Sequence, residues 1–167
     1  MEKETKYQDI IQALREMFAV DQKMRERAEK EPDFWDYAID AANTERLKEI
    51  VSRIGWPSVS LVGKEASHQA WLLVQHADKD LAFQEECLRA MLALPEGEVS
   101  KHNIAYLTDR IRMNKKVPQL YGTQYLLDQE TGLYAPLPIE SPERVEDRRK
   151  EMGLDTLEEN TKRINNR

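Results

Sequence analysis

Apolar residues recur every three or four positions through the first two thirds of the chain. They then alternate for a short stretch before the longer period returns. Residues 5–29 place Ile10, Leu14, Met17, Phe18 and Met24 on one stripe, the spacing of an amphipathic helix. Asp21, three after Phe18, and Arg25, four after Asp21, continue that stripe. Charge on a core-facing stripe is costly unless paired. An intrahelical Asp21–Arg25 pair is the simpler account. The sharper one is that this helix end, with Gln22 beside it, lines a polar pocket.

Pro32 breaks the helix, and Pro32 or Asp33 can open a short new one. Phe34, Trp35 and Tyr37 are expected in or over the core. The segment "NTERLKEIVSRIGWP" reads as a helix whose stripe is Leu47, Ile50, Val51 and Ile54. Asn43 or Thr44 is its expected cap and Gly55 its left-handed stop. Trp56-Pro57 forces an extended exit, and "SVSLVGKEA" reads as a connector. A helix over 65–77 follows, then one over 81–94 capped by Asp80. The latter turns Phe83, Cys87, Leu88, Met91 and Leu92 inward. Ser100 caps a helix to Asn114 that carries Ile104, Leu107 and Ile111 on one face.

From Gln119 the period is two. "QLYGTQYLLD", the turn-like "QETG" and "LYAPLPI" predict a β-hairpin, and Pro136 and Pro138 confine its second strand to an edge. "SPERVEDRRKEMG" is a helix with Ser141 as cap, Pro142 at its first position and Gly153 as stop. The fold class is therefore mostly α (α+β): a bundle of about six helices with one hairpin in the C-terminal half. The expected layout is one globular domain over 1–154, in which the N-terminal helix of 1–31 packs on 43–154. The weakly amphipathic residues 155–167 are expected to fray.

Composition narrows the function. The chain has 167 residues and a net charge of −6, which argues against a broad electrostatic grip on nucleic acid. No apolar run approaches the ~20 residues of a membrane span. The charged start "MEKETKYQDI" carries no apolar signal-peptide core, and one cysteine, Cys87, allows no internal disulfide. A cytoplasmic location is the expectation.

Candidate chemistry gathers in "SHQAWLLVQHADKD", residues 67–80. At 100° per residue, His68, Trp71, Leu72 and Gln75 share one stripe. This helix is apolar nearly all round, so it is expected to be central, with His68 and Gln75 at least partly buried. Buried imidazoles and amides need partners. "YLTDR" offers Asp109 and Arg110, "PQLYGTQ" offers Tyr121, Thr123 and Gln124 around Gly122, and "DQKMR" offers Asp21, Gln22 and Arg25. An imidazole oriented by Asp or Gln is the usual acid–base arrangement near neutral pH. His68, Gln75 and Asp109 are accordingly the catalytic candidates. Arg110, Tyr121, Thr123, Gln124 and Trp71 are the ligand-binding ones, and Asp21, Gln22, Arg25 and His76 a secondary set.

His68 and His76 are eight apart, about 80° in direction and ~12 Å along the axis, so they do not readily share a metal ion. His76 more simply ends one helix and Asp80 starts the next. Cys87 reads as a small apolar filler. No metal site, nucleotide fingerprint or other cofactor motif is expected.

The segments from "RLKEIVSRIGWP" through "SHQAWLLVQHADKD", then "YLTDR", "PQLYGTQ" and "PIESPERVEDRRKEMGL", resemble a family of small bacterial proteins of unknown function. The resemblance runs over about 43–154 and leaves the tail outside. It implies that Trp56, Pro57, His68, Trp71, Gln75, His76, Asp78, Asp109, Arg110 and the Tyr121–Gln124 run belong to a shared pattern. It brings no activity with it.

Three functions fit. The first is a small enzyme or ligand-binding protein that uses His68 as general acid or base on a small polar or anionic molecule. The second is a protein-interaction module such as an inhibitor, adaptor or immunity-like partner, its acidic surface steering a basic partner. In the third, the polar residues only form a satisfied buried network.

Overall fold

The structure, a computed structural model, describes residues 6–31 and 33–166. Among them are seven α-helices and one two-stranded antiparallel hairpin. Among the described residues no helix is long and apolar enough to cross a membrane. The chain divides into two compact units, Met1–Val99 and Ser100–Arg167.

The first unit holds α1 (Gln8–Lys30), α2 (Tyr37–Ile54), α3 (Val59–Gln75) and α4 (Leu81–Leu92). α1 buries Ile10, Leu14, Met17 and Met24 as its period predicts, and Asp21 with them. The expected start at residue 5 and the break at Pro32 lie outside the described residues. α2 begins well before the expected cap. Asp36 is its N-cap, accepting from the Ala38 N–H at 2.9 Å. Asn43 and Thr44 are buried inside the helix instead of capping it. Such side chains are tolerated in a helix when they bond main-chain carbonyls. Here Thr44 donates to the Asp40 carbonyl and Asn43 to the Met17 carbonyl of α1.

The expected connector is helical too. α3 starts at Val59 and turns sharply at Gly63, whose φ of 83° suits glycine. α3 packs against α1, α2 and α4 and buries Ala66, Ala70, Trp71, Leu73 and Val74. An all-round apolar helix occupies the centre for this reason. α4 buries Phe83, Cys87 and Met91. Leu92, expected inward, is 61% exposed because it ends the helix, where nothing covers the stripe's last position.

The second unit holds α5 (Lys101–Asn114), β1 (Tyr125–Leu127), β2 (Tyr134–Pro136), a 3-10 turn (Pro142–Arg144) leading into α6 (Val145–Glu151), and α7 (Leu157–Asn165). The hairpin pairs Tyr125 with Pro136 and Leu127 with Tyr134. It is shorter than the alternation suggests because residues 119–124 take other hydrogen-bond partners, described below. Residues 155–166 are not a frayed tail, and Arg167 lies outside the described residues. Thr156 and Glu159 form a reciprocal capping box that starts α7. Asn165 then bonds both the N–H and the carbonyl of Tyr134, at 2.7 and 2.9 Å. Its amide thus substitutes for a third strand along the open edge of β2.

Candidate functional site

The first unit gathers the secondary candidates. Asp21 is 1% exposed and takes up three side chains. Arg25 Nε donates to its carboxylate at 3.1 and 3.2 Å, Gln22 Nε2 at 2.8 Å, and His76 Nδ1 lies 2.9 Å away. The expected intrahelical pair with Arg25 is present, but it is not alone. Arg25 Nη2 also reaches Asp40 Oδ1 of α2 at 2.8 Å. One guanidinium thus joins two carboxylates, and one carboxylate joins α1 to the end of α3.

Electrostatics sets the two carboxylates apart. For Asp21, burial pushes the pKa up, yet the hydrogen bonds from His76 and Arg25 outweigh it and hold the group below its ordinary value. For Asp40, burial dominates. Arg25 pulls downward and the neighbouring Asp21 pushes upward, and the carboxyl ends above its ordinary value. An ionised Asp21 can only accept, so Nδ1 of His76 carries the hydrogen. Nε2 is left as the acceptor of the neutral ring.

His76 and Asp40 line a pocket of about 400 Å³. Trp35, Tyr37, Ala41, Thr44 and Glu45 line it from α2 and the chain before it; Ala77, Asp78, Lys79 and Asp80 line it from the α3–α4 turn. The turn is firmly held. His76 is the C-cap of α3, Asp80 caps α4 through the Phe83 N–H, and Lys48 bridges Asp80 and Glu45 at 2.6 and 2.8 Å. Buried Gln84 donates to the Val74 and Gln75 carbonyls and so ties off the end of α3. The expected helix-end roles of His76 and Asp80 are both present. The His76 side chain in addition faces a buried carboxylate 55 positions earlier.

The first-choice candidates fall differently. Gln75 is buried as expected, and so is Trp71. His68 is exposed, its ring tilted over Trp71 at 5.0 Å. The expectation of a partly buried His68 is therefore corrected. A helical stripe has one direction, but its burial depends on what covers it at each height. Lys64, Glu65 and His68 mark the open end of this one.

The other candidates lie in the second unit, where they organise the chain itself. Asp109 of α5 is fully buried. Its carboxylate accepts from the N–H groups of Leu120 (2.7 Å), Tyr121 (3.1 Å) and Thr123 (3.0 Å) and from the Thr123 hydroxyl (2.9 Å). Burial pushes its pKa up against these bonds. Gln119 donates to the carbonyls of Gln124 and Leu137, and Gln124 N–H donates back to it. Arg110 donates to the Gln124 amide oxygen at 3.2 Å. From α6, buried Arg149 donates to the Tyr121 carbonyl and to both the carbonyl and the carboxylate of Asp155. Gly122 is needed where this loop meets α7. Its φ is 68°, and a Cβ there would lie 2.6 Å from Leu157 Cδ1. Asp109, Thr123, Gln124 and Arg110 are thus brought together.

The sequence reading missed Asp40, Trp35 and Tyr37 as a pocket wall, and Arg149 as a loop clamp. Asp40 follows the cap Asp36 by one turn, which places both on one helix face; that was the available signal. Arg149 sits among charged neighbours and gave none. Cys87 is buried, and burial pushes its thiol up to about 12, consistent with a filler and not a nucleophile.

The family profile described as "Family of unknown function (DUF6624)" matches residues 8–167. The chain belongs to this family. The match includes α1 and the residues of the α7 tail, so it is wider than the 43–154 span of the sequence resemblance. No curated protein and no solved structure matches the chain.

Proposed function

We propose that this family member is a small acid–base enzyme acting on a small polar molecule in the first-unit pocket. The carrying observation is the 2.9 Å contact between His76 Nδ1 and buried Asp21 at the wall of that pocket. His76 exchanges the proton at Nε2. Asp21 holds the ring's tautomer and orientation and stabilises the imidazolium that forms. Arg25 fixes Asp21 and Asp40 together. Asp40, which lines the same pocket and has a raised pKa, is the second group able to carry a proton. His68 has the same ring chemistry, but its exposed position offers no orienting carboxylate among the described residues.

A thermal-shift screen of polar metabolites tests this, followed by NMR analysis of each stabilising compound for turnover. The expected result is a compound that is converted by the wild type and bound by His76→Ala, with turnover reduced about 10²–10⁴-fold. Equal turnover by both proteins would overturn the role of His76.

A further inference from the structure

The pocket's walls carry more information than its proton-transfer group. Building on the acid–base reading of the site, we infer that its ligand carries an organic cation, an ammonium group received over Tyr37. Trp35 is 40% exposed and Tyr37 59% exposed. Their ring centroids lie 6.3 Å apart, with planes tilted by 53°. Large aromatic side chains left open at a pocket mouth present π faces, and π faces attract cations.

The protein already uses both rings in this way. Arg25 Cζ lies 4.9 Å from the Trp35 centroid, and Lys79 Nζ lies 4.1 Å from that of Tyr37. The two cations are held differently. Arg25 is tied to Asp21 and Asp40. Lys79 is exposed, in the turn between α3 and α4. Its ammonium occupies the place of a ligand's ammonium, on a tether that can swing away.

Charge points the same way. Asp21, Asp40, Glu45, Asp78 and Asp80 stand against Arg25, Lys48 and Lys79 in and around the pocket. Five carboxylates against three cations leave an excess of two negative charges. Arg25, the group best suited to hold an anion, is already shared by two carboxylates. An anionic ligand would meet like charge; a cationic one replaces Lys79 without changing the balance. Hard metal ions prefer oxygen ligands to ring faces, whereas two aromatic rings beside carboxylates fit an organic cation.

The test compares choline with its neutral isostere 3,3-dimethylbutan-1-ol by NMR titration of the full chain. Trp35 provides a second readout, since Trp56 and Trp71 are buried. The expected result is saturable binding of choline that perturbs Trp35 and the 76–80 turn, with at least tenfold weaker binding of the alcohol. Tyr37→Ala is expected to weaken choline binding about tenfold. Lys79→Gln is expected to strengthen it, because the tethered competitor is gone. Equal binding of choline and the alcohol, no choline binding at the pocket, or choline binding unchanged by Tyr37→Ala would each overturn the cation assignment. The separate turnover test of His76 would stand whatever this outcome.

Discussion

Single residues carry the chemistry, and their protonation makes it measurable. Asp21 has a folded-state pKa below its unfolded value. Its contribution to stability is therefore fully present above the unfolded value of about 3.9 and is lost as pH falls through the lower folded value. Urea unfolding of wild type and Asp21→Asn across this window is expected to show a gap of about 2 kcal/mol at neutral pH that closes on acidification. A constant gap would mean that the Asp21 charge is not what stabilises the fold. The same variant is expected to shift the ¹⁵N resonances of His76 away from the Nδ1–H tautomer, since an amide can also donate to Nδ1. Asp109 differs in kind. Its carboxylate gathers four donors, and Asp109→Ala leaves the N–H groups of Leu120, Tyr121 and Thr123 without that acceptor at once. A loss of about 3 kcal/mol is expected in chemical denaturation.

At the scale of elements, the two units solve the problem of helix ends and strand edges with side chains. Thr156 and Glu159 start α7, and Asn165 closes the edge of β2. Thr156→Ala is expected to cost about 1 kcal/mol and to speed amide exchange in α7 before it affects α5. Gly122→Ala meets two penalties, a left-handed φ and the approach of Leu157. Leu157 can give way at its flexible end, but the backbone strain remains. The expected cost is about 1–2 kcal/mol, read as a lowered thermal midpoint. In the first unit the corresponding devices are Asp36, Asp80 and Gln84, which cap α2, cap α4 and tie off α3. Asp80 and Gln84 tie down the α3–α4 turn, and that turn is one wall of the pocket.

At the scale of the molecule, the candidate chemistry and the Asp109 clamp share no residue and fall in different compact units. NMR of Asp109→Asn is therefore expected to shift resonances of residues 119–124 while the ¹⁵N pattern of His76 keeps its wild-type form. A changed His76 pattern would show that the two are coupled.

Much of this was legible in the chain. The 3.6-residue period exposed α1, the second half of α2, α3 from residue 65 onward, α4 and α5, because burial leaves its apolar pattern whatever the partner. The Asp21–Arg25 pair broke the stripe of α1 and so announced itself as unusual. The start of α2 was not legible, since Asn43 and Thr44 are good caps in isolation and only the carbonyls they reach inside the unit make them helix-interior residues. The α7 tail was undervalued because its stability comes from a capping box and one docked asparagine, while its apolar stripe is weak. His68 and His76 were the hardest to rank. Local geometry gives the direction of a side chain, but not whether anything lies there.

What the sequence determined by itself was the inventory: helical periods, the change to alternation at the hairpin, the cap at Asp80 and a net charge of −6. These are short-range properties, set by neighbours within a few residues. Only the tertiary structure decided which polar residues meet. It placed His76 on Asp21 across 55 positions and Asp40 on the same arginine. It also turned Asp109 into a clamp on the backbone that follows it. Such pairings depend on how whole helices pack. A buried charge is tolerated only where that packing brings it a partner, and no local pattern records which partner that will be.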